Sequence, residues 1–333
     1  MRNTFMKIIL PGITTALAAV SIQSMADELP LPSWNDGNNR QALLEFVEVV
    51  TTPESPDFVK TSKRIAVFDN DGTLWAEKPL YSQFFYVVDR VREMANEHPE
   101  WREAEPFASI LRGDLEAALA GGTNPVLELL MTTHAGMTAG EFGAAVADWF
   151  ETARHPVSKK PYRAMVYKPM LELIDFLHEN NFKVFIVSGG GRDFVRVISE
   201  SYYGIVPERV IGSSVKSGYE LRDGKPVIVK LPEVDLINDK AGKPVGINRY
   251  IGQRPILAIG NSDGDFEMLE YTTAGAGRRM GMLLHHDDAE REWAYDRVSH
   301  VGKLERGLDE GPRRGWKIIS MKNDWKQVFS SDL

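Results

Sequence analysis

Arg64-Ile65-Ala66-Val67-Phe68-Asp69-Asn70-Asp71-Gly72-Thr73 is the stretch that decides the fold of this chain. A short apolar run, rich in β-branched residues, meets an acidic turn that carries a glycine. Such a run, stopped by Asp-Asn-Asp-Gly, predicts a strand buried on both faces, as in a parallel sheet. Asp69 and Asp71 stand two residues apart just past the strand, so both turn toward one crevice, and Gly72 permits the tight turn. Two like charges this close are costly unless a cation, a proton or both stabilise them. The bland alternative is an Asp-Gly turn capping a helix.

Working outward, residues from Pro79 to Tyr162 carry helical periodicity. Leu80, Phe84, Val87, Val88 and Val91 recur at three and four, further amphipathic runs cover 106–120 and 125–133, and Thr138 with Glu141 forms a capping box. Beyond this block the pattern alternates. Pro169 starts a helix through Leu173, Ile174 and Leu177, Lys183-Val184-Phe185-Ile186-Val187 reads as a strand, and Ser188-Gly189-Gly190-Gly191 closes it. A hairpin is expected over 212–230 around Asp223-Gly224, and Pro255-Ile256-Leu257-Ala258-Ile259 as a buried strand ending at Gly260-Asn261-Ser262-Asp263. Strand, helix and strand in alternation imply an α/β fold with a parallel sheet, whose ligands bind at the carboxyl ends of the strands. Every candidate motif falls at such an end.

On the amino-terminal side, Arg2 and Lys7 precede an apolar run from Ile8 to Val20, and Ser24-Met25-Ala26 follows with small residues. Residues 1–26 therefore read as a secretory signal peptide, with a periplasmic or secreted mature chain and no integral membrane segment in it. Residues 27–63 form a lead-in with one helix at Leu43, Leu44, Phe46, Val47 and Val50. The expected organisation is a core from 64–78 and 163–333, interrupted by a helical cap over 79–162.

The apolar strand followed by Asp-x-Asp-Gly-Thr resembles the first motif of the haloacid dehalogenase superfamily, in its phosphoserine-phosphatase-like branch. That resemblance implies a Rossmann-like three-layer αβα core with an inserted all-helical cap. It implies Asp69 as the nucleophile that forms an aspartyl-phosphate, Asp71 as general acid and base, and magnesium as cofactor. Val187-Ser188-Gly189-Gly190 resembles the second motif, where Ser188 with the backbone N–H groups of Gly189 and Gly190 would hold phosphoryl oxygens. The motif-three lysine falls on Lys243, which precedes Pro244 and a helical run, with Lys240 and Lys230 as runners-up. Gly260-Asn261-Ser262-Asp263-Gly264-Asp265 resembles the fourth motif but departs from it, since Asn261 stands where the family has an acid. The implied metal shell is Asp69, the carbonyl of Asp71 and Asn261, with Asp265 as the second acid and Asp263 as a rival to Asn261. A Glu soon after the first motif reads a substrate amine in that branch, but Glu77 lies one position early.

Other clusters invite weaker readings. His285-His286-Asp287-Asp288 looks like a metal cluster, yet adjacent residues of a strand face opposite ways. Arg192 is a solvated residue at a helix start or a further phosphate contact, and Trp75, Trp101 and Trp149 are packing residues before they are pocket walls. Composition narrows the function classes. With 43% hydrophobic and 26% charged residues over 333 positions the chain is globular, and its net charge of −8, without a basic block, gives no footprint for nucleic acid. No cysteine is present, which excludes a disulfide framework. The expected partner is a small phosphorylated metabolite; phosphotransfer to an alcohol and phosphate binding without turnover are the rival functions.

Overall fold

Ile65–Phe68 forms β1 and lies at the centre of an eight-stranded sheet. The computed structural model describes residues 30–120 and 123–330, and the side chains of all of these except 123–127. The leader expected over 1–26 lies outside the described residues. Before β1 comes α1 (Asn38–Thr51), whose Leu43, Phe46, Val47 and Val50 are buried as their spacing requires. Four helices follow β1, α2 (Ser82–Met94), α3 (Phe107–Arg112), α4 (Leu115–Leu119) and α5 (Thr123–His134), and then α6 (Ala139–Thr152), opened by the Thr138–Glu141 capping box.

The alternating half begins with α7 (Lys168–Glu179), β2 (Lys183–Gly191) and α8 (Arg192–Tyr203). Then come β3 (Val210–Arg222) and β4 (Lys225–Leu236), joined at Asp223-Gly224, where both residues have positive φ as a tight hairpin turn demands. The hairpin is longer than the expected 212–230. The chain continues through α9 (Gly242–Tyr250), β5 (Leu257–Gly260), α10 (Phe266–Thr273), β6 (Met280–Asp287), β7 (Ala294–Tyr295), α11 (Arg306–Glu310), β8 (Lys317–Ser320) and α12 (Met321–Asp324). No helix among the described residues is long and apolar enough to cross a membrane.

The strand order is β4-β3-β2-β1-β5-β6-β7, with β8 beside β6. β1 runs parallel to β2 and β5, pairing Ala66 with Val184 and Leu257, while β4 and β7 are antiparallel additions at the margins. Successive side chains of β1 face opposite sides, which divides the core. Ala66 and Phe68 join one apolar layer with Leu43, Phe46, Leu173 and Ile174, and Ile65 and Val67 join the other with Ile247, Phe266 and Leu269. Helices therefore cover both faces of a mainly parallel sheet, the three-layer α/β arrangement. The helical stretch after β1 runs into the first layer through Tyr86, Phe142, Phe150 and Phe194, so its packing is continuous with the core. The chain leaves β1 toward β2 on one side and returns to β5 on the other. The carboxyl end of β1 is thus the switch point where such sheets open a crevice.

Candidate active site

Asp69 follows β1 directly, and its N–H donates to Ile259 O at 2.9 Å, which ties the turn to the neighbouring strand. Its carboxylate is buried beside Lys243, the second residue of α9. Lys243 Nζ donates to Asp69 Oδ1 at 2.6 Å and to Asp265 Oδ1 at 2.5 Å. One ammonium thus serves two carboxylates. Burial, and then Asp265, raise the Asp69 carboxyl to about 8 against the pull of Lys243, while its two anionic partners outweigh burial and raise Lys243. The other Asp265 oxygen accepts from the N–H groups of Asn261 and Ser262 and from the Ser262 hydroxyl, at 3.0, 3.0 and 3.2 Å. What Asp265 offers a cation is therefore charge and a fixed loop.

Asp71 turns to the opposite wall. Trp75 Nε1 donates to its Oδ1 at 2.9 Å, and burial raises its carboxyl above the ordinary value. A Cβ placed on Gly190 would stand 3.4 Å from Asp71 Oδ2 and 3.2 Å from Ser188 Oγ, so glycine keeps open the gap between these groups. Ser188 is fully buried, its Oγ accepts the Gly190 N–H at 2.9 Å, and its carbonyl is held by Asn238 Nδ2 at 2.8 Å. The hydroxyl keeps its proton to donate. Gln83, from the first turn of α2, accepts the Gly191 N–H at 2.7 Å and so links the helical stretch to the glycine loop.

The structure brings Asp69, Asp71, Ser188, Gly190, Lys243, Asn261 and Asp265 to one crevice, and it separates the rivals. Asp263 is spent on the N–H groups of Glu305, Arg306 and Gly307, at 2.9–3.2 Å. Lys240 is exposed and Lys230 pairs with Asp193. Arg192 also bonds Asp193, and reaches Tyr250 Oη at 3.5 Å. Asn261 is almost fully buried: its Oδ1 accepts from Thr73 Oγ1 at 3.0 Å and its Nδ2 donates to Glu77 Oε1 at 2.7 Å. Glu77 also accepts from Tyr295 Oη at 2.7 Å, and burial pushes its carboxyl well above the ordinary value. Glu77 thus faces the Asn261 side of the site.

His286 Nε2 donates to Gly72 O at 2.8 Å, and its Nδ1 lies 3.1 Å from Glu292 Oε2; His285 instead meets Asp296. These contacts hold the turn after Asp71. Among the described residues no group of three or more His, Cys, Asp and Glu is set to hold a metal. Trp101 stacks between His98 and Phe107, and Trp149 Nε1 donates to Asp89. Only Trp75 of the three tryptophans touches a site residue. Gln83 and Tyr295 escaped the sequence reading, because each lies on a separate element and carries no motif, and His286, read as part of a candidate metal cluster, instead holds the Gly72 carbonyl.

Residues 66–270, more than half of the chain, match the family of haloacid dehalogenase-like hydrolases. The chain belongs to that family. Among solved structures, this haloacid dehalogenase-like hydrolase is similar to a protein of unknown function from Bordetella pertussis Tohama I, at 17% identity and a TM-score of 0.47, covering 77% of this chain and 98% of that one. It is also similar to a protein from Anaerococcus prevotii (17%, TM-score 0.45, 74% and 85% covered). A third is a phosphoserine phosphohydrolase-like protein from Francisella tularensis (15%, TM-score 0.36, 75% and 98% covered). No curated protein matches the chain.

Proposed function

We propose that this hydrolase cleaves small phosphomonoesters with magnesium, through an aspartyl-phosphate on Asp69. The observation that carries the reading is the second acid. Asp71 Oδ2 stands at the Ser188–Gly190 wall, held by the Trp75 indole, while Asp69 stands beside Lys243. A nucleophile, a proton carrier and an anion cradle therefore line one crevice.

In the first step Asp69 attacks phosphorus and the bond from phosphorus to the ester oxygen breaks. Asp71, whose burial favours the protonated form, gives its proton to the departing alkoxide. The Ser188 hydroxyl holds a phosphoryl oxygen, the Gly190 and Gly191 N–H groups, taken by Ser188 Oγ and Gln83, keep the cradle in shape, and Lys243 balances Asp69 and Asp265 as charge moves. In the second step Asp71 takes a proton from water, which attacks phosphorus, releases inorganic phosphate and restores Asp69. The donors around the turn fit magnesium. Asp69 Oδ2, the Asp71 carbonyl and Asn261 Oδ1 are hard oxygens, and an amide oxygen that accepts one bond from Thr73 keeps a lone pair. Bound there, the ion supplies positive charge against the phosphoryl oxygens and the surplus carboxylates.

Turnover of p-nitrophenyl phosphate with magnesium, with chelator, and by Asp69→Asn tests the reading. Activity lost with chelator and in Asp69→Asn is the expected result. Unchanged magnesium-dependent activity in Asp69→Asn would overturn the assignment of the nucleophile. Added glycerol that diverts phosphate from water would favour phosphotransfer instead.

A further inference from the structure

Glu77 is a carboxylate that the proposed steps do not use. It is 2% exposed, and among the described residues it forms no ion pair. Burial favours its neutral form, so its anion is worth keeping only where a positive charge can be brought close. Its Oε1 accepts from Asn261 Nδ2 and from Tyr295 Oη, both at 2.7 Å. The surroundings leave room for it by omitting side chains. A Cβ on Gly72 would stand 2.4 Å from Glu77 Oε1 and one on Gly302 1.9 Å from it, and both glycines have positive φ. Thr73, Asn261, Glu77 and Tyr295 thus form a chain of hydrogen bonds in which every side-chain orientation is dictated. Because Glu77 accepts, Asn261 must turn Nδ2 toward it and present Oδ1 to Thr73, on the side of the Asp71–Thr73 turn.

We infer that Glu77 is a positioning residue of the cation site: it fixes the Asn261 amide with its oxygen toward the site, and from one residue away it would offer a bound cation the carboxylate that Asn261 lacks. The inference rests on the magnesium reading above. It also accounts for how an amide serves where an acid is the family pattern, since the pair Glu77 plus Asn261 carries the same total charge as a neutral residue plus Asp. Glu77 has Oε1 committed to two protein donors, which sets this role apart from that of a substrate-amine reader.

Calorimetric titration of magnesium into the full chain, with thermal melts of metal-free and loaded protein, tests the exchange of charge between the two positions. Glu77→Gln keeps the shape and is expected to weaken magnesium by about 10–100-fold, as loss of an orienting partner does. Asn261→Asp alone sets two carboxylates in contact, so the metal-free protein should melt lower and gain more on loading than wild type. The double variant Glu77→Gln/Asn261→Asp should return magnesium affinity to the wild-type range. Wild-type affinity in Glu77→Gln, or no recovery in the double variant, overturns the inference while leaving the magnesium reading in place. A wild-type chain that binds no magnesium overturns that reading itself. If Glu77→Gln does not fold, Tyr295→Phe, which frees the carboxylate from its anchor, should still weaken the metal, and unchanged affinity there overturns the inference.

Discussion

Two lysines are buried in this protein to nearly the same depth, Lys243 at 2% and Lys230 at 4% exposure, and they do different work. Lys243 stands at the strand ends between two carboxylates. Lys230 stands on β4, bonded to Asp193 alone, with its ammonium 4.4 Å from the Phe142 ring and its backbone paired with Gly136 and Met137. The first cluster holds two carboxyl groups to one lysine, with Asp71 and Glu77 close by, and burial drives Asp69, Asp71 and Glu77 toward their neutral forms. In the second the count is reversed, since Asp193 alone meets Lys230, Arg192 and Arg196. Buried carboxyl groups in excess of their ammonium can take up a cation or carry a proton, whereas a carboxylate met by several cations clasps the elements that bear them. Position in the sequence favoured Lys243, but only charge stoichiometry separates the roles.

Lys243→Met should break the comparison most violently. Turnover should fall by on the order of 10²–10³-fold, because a preorganised charge opposite the reacting group is lost. Asp69 and Asp265 are then left buried without their cation, and stability should drop by about 3–5 kcal/mol. Steady-state kinetics and chemical denaturation measure the two effects. Full turnover in a merely destabilised variant would make Lys243 a clasp like Lys230.

Lys230→Met should act on stability alone. Asp193 keeps two arginine neighbours and is partly exposed, so about 1–3 kcal/mol should be lost. Turnover of a small phosphate ester should stay within about threefold of wild type. A collapse of turnover at unchanged melting temperature would show that Lys230 faces the substrate. The same pair has a pH signature. Burial alone would raise the Asp193 carboxyl, but Lys230 and Arg192 overcome it and hold it at about 2. A depressed carboxyl contributes stability above its unfolded value near 3.8, and that contribution fades as pH falls toward about 2. Melts of wild type and Asp193→Asn should differ by on the order of 2 kcal/mol at neutral pH and converge in acid. A constant gap across that range would remove the ion pair as the cause.

The strand ends were legible in the sequence because a buried parallel strand is written as an unbroken apolar run, and Ile65–Phe68 and Leu257–Gly260 both end in polar turns. Lys243 was legible from its place at a helix start. The hairpin turn was legible at Asp223-Gly224, but its length was not. The outer parts of β3 and β4 carry Lys216, Glu220 and Glu233 on exposed positions and lack the alternation of a half-buried strand. The contacts of Glu77 were not legible for a different reason. They are made with Asn261 and Tyr295, 184 and 218 positions away, and no local spacing encodes such contacts. Residue order predicts which elements form; the charge balance of the site exists only after the β1, β5 and β6–β7 segments meet.

The third lysine offers the smallest effect and the cleanest control. Lys240 precedes α9 with φ of 49°, a left-handed conformation that costs a residue bearing a Cβ roughly 1–2 kcal/mol relative to glycine. It is exposed, and its structural contribution is made by the backbone: its N–H donates to Gly264 O at 3.1 Å and its carbonyl accepts from the Lys243 N–H at 3.0 Å. Lys240→Gly keeps both bonds and relieves the strain, while the added freedom of glycine in the unfolded chain offsets about 0.5–1 kcal/mol of the gain. The net expectation is a rise of at most about 1 kcal/mol in stability with turnover and magnesium dependence unchanged. Denaturation and the p-nitrophenyl phosphate assay measure both. If Lys240→Gly instead abolished turnover, the ammonium that faces Asp69 during catalysis would be that of Lys240, and the contrast drawn between Lys243 and Lys230 would describe two structural pairs.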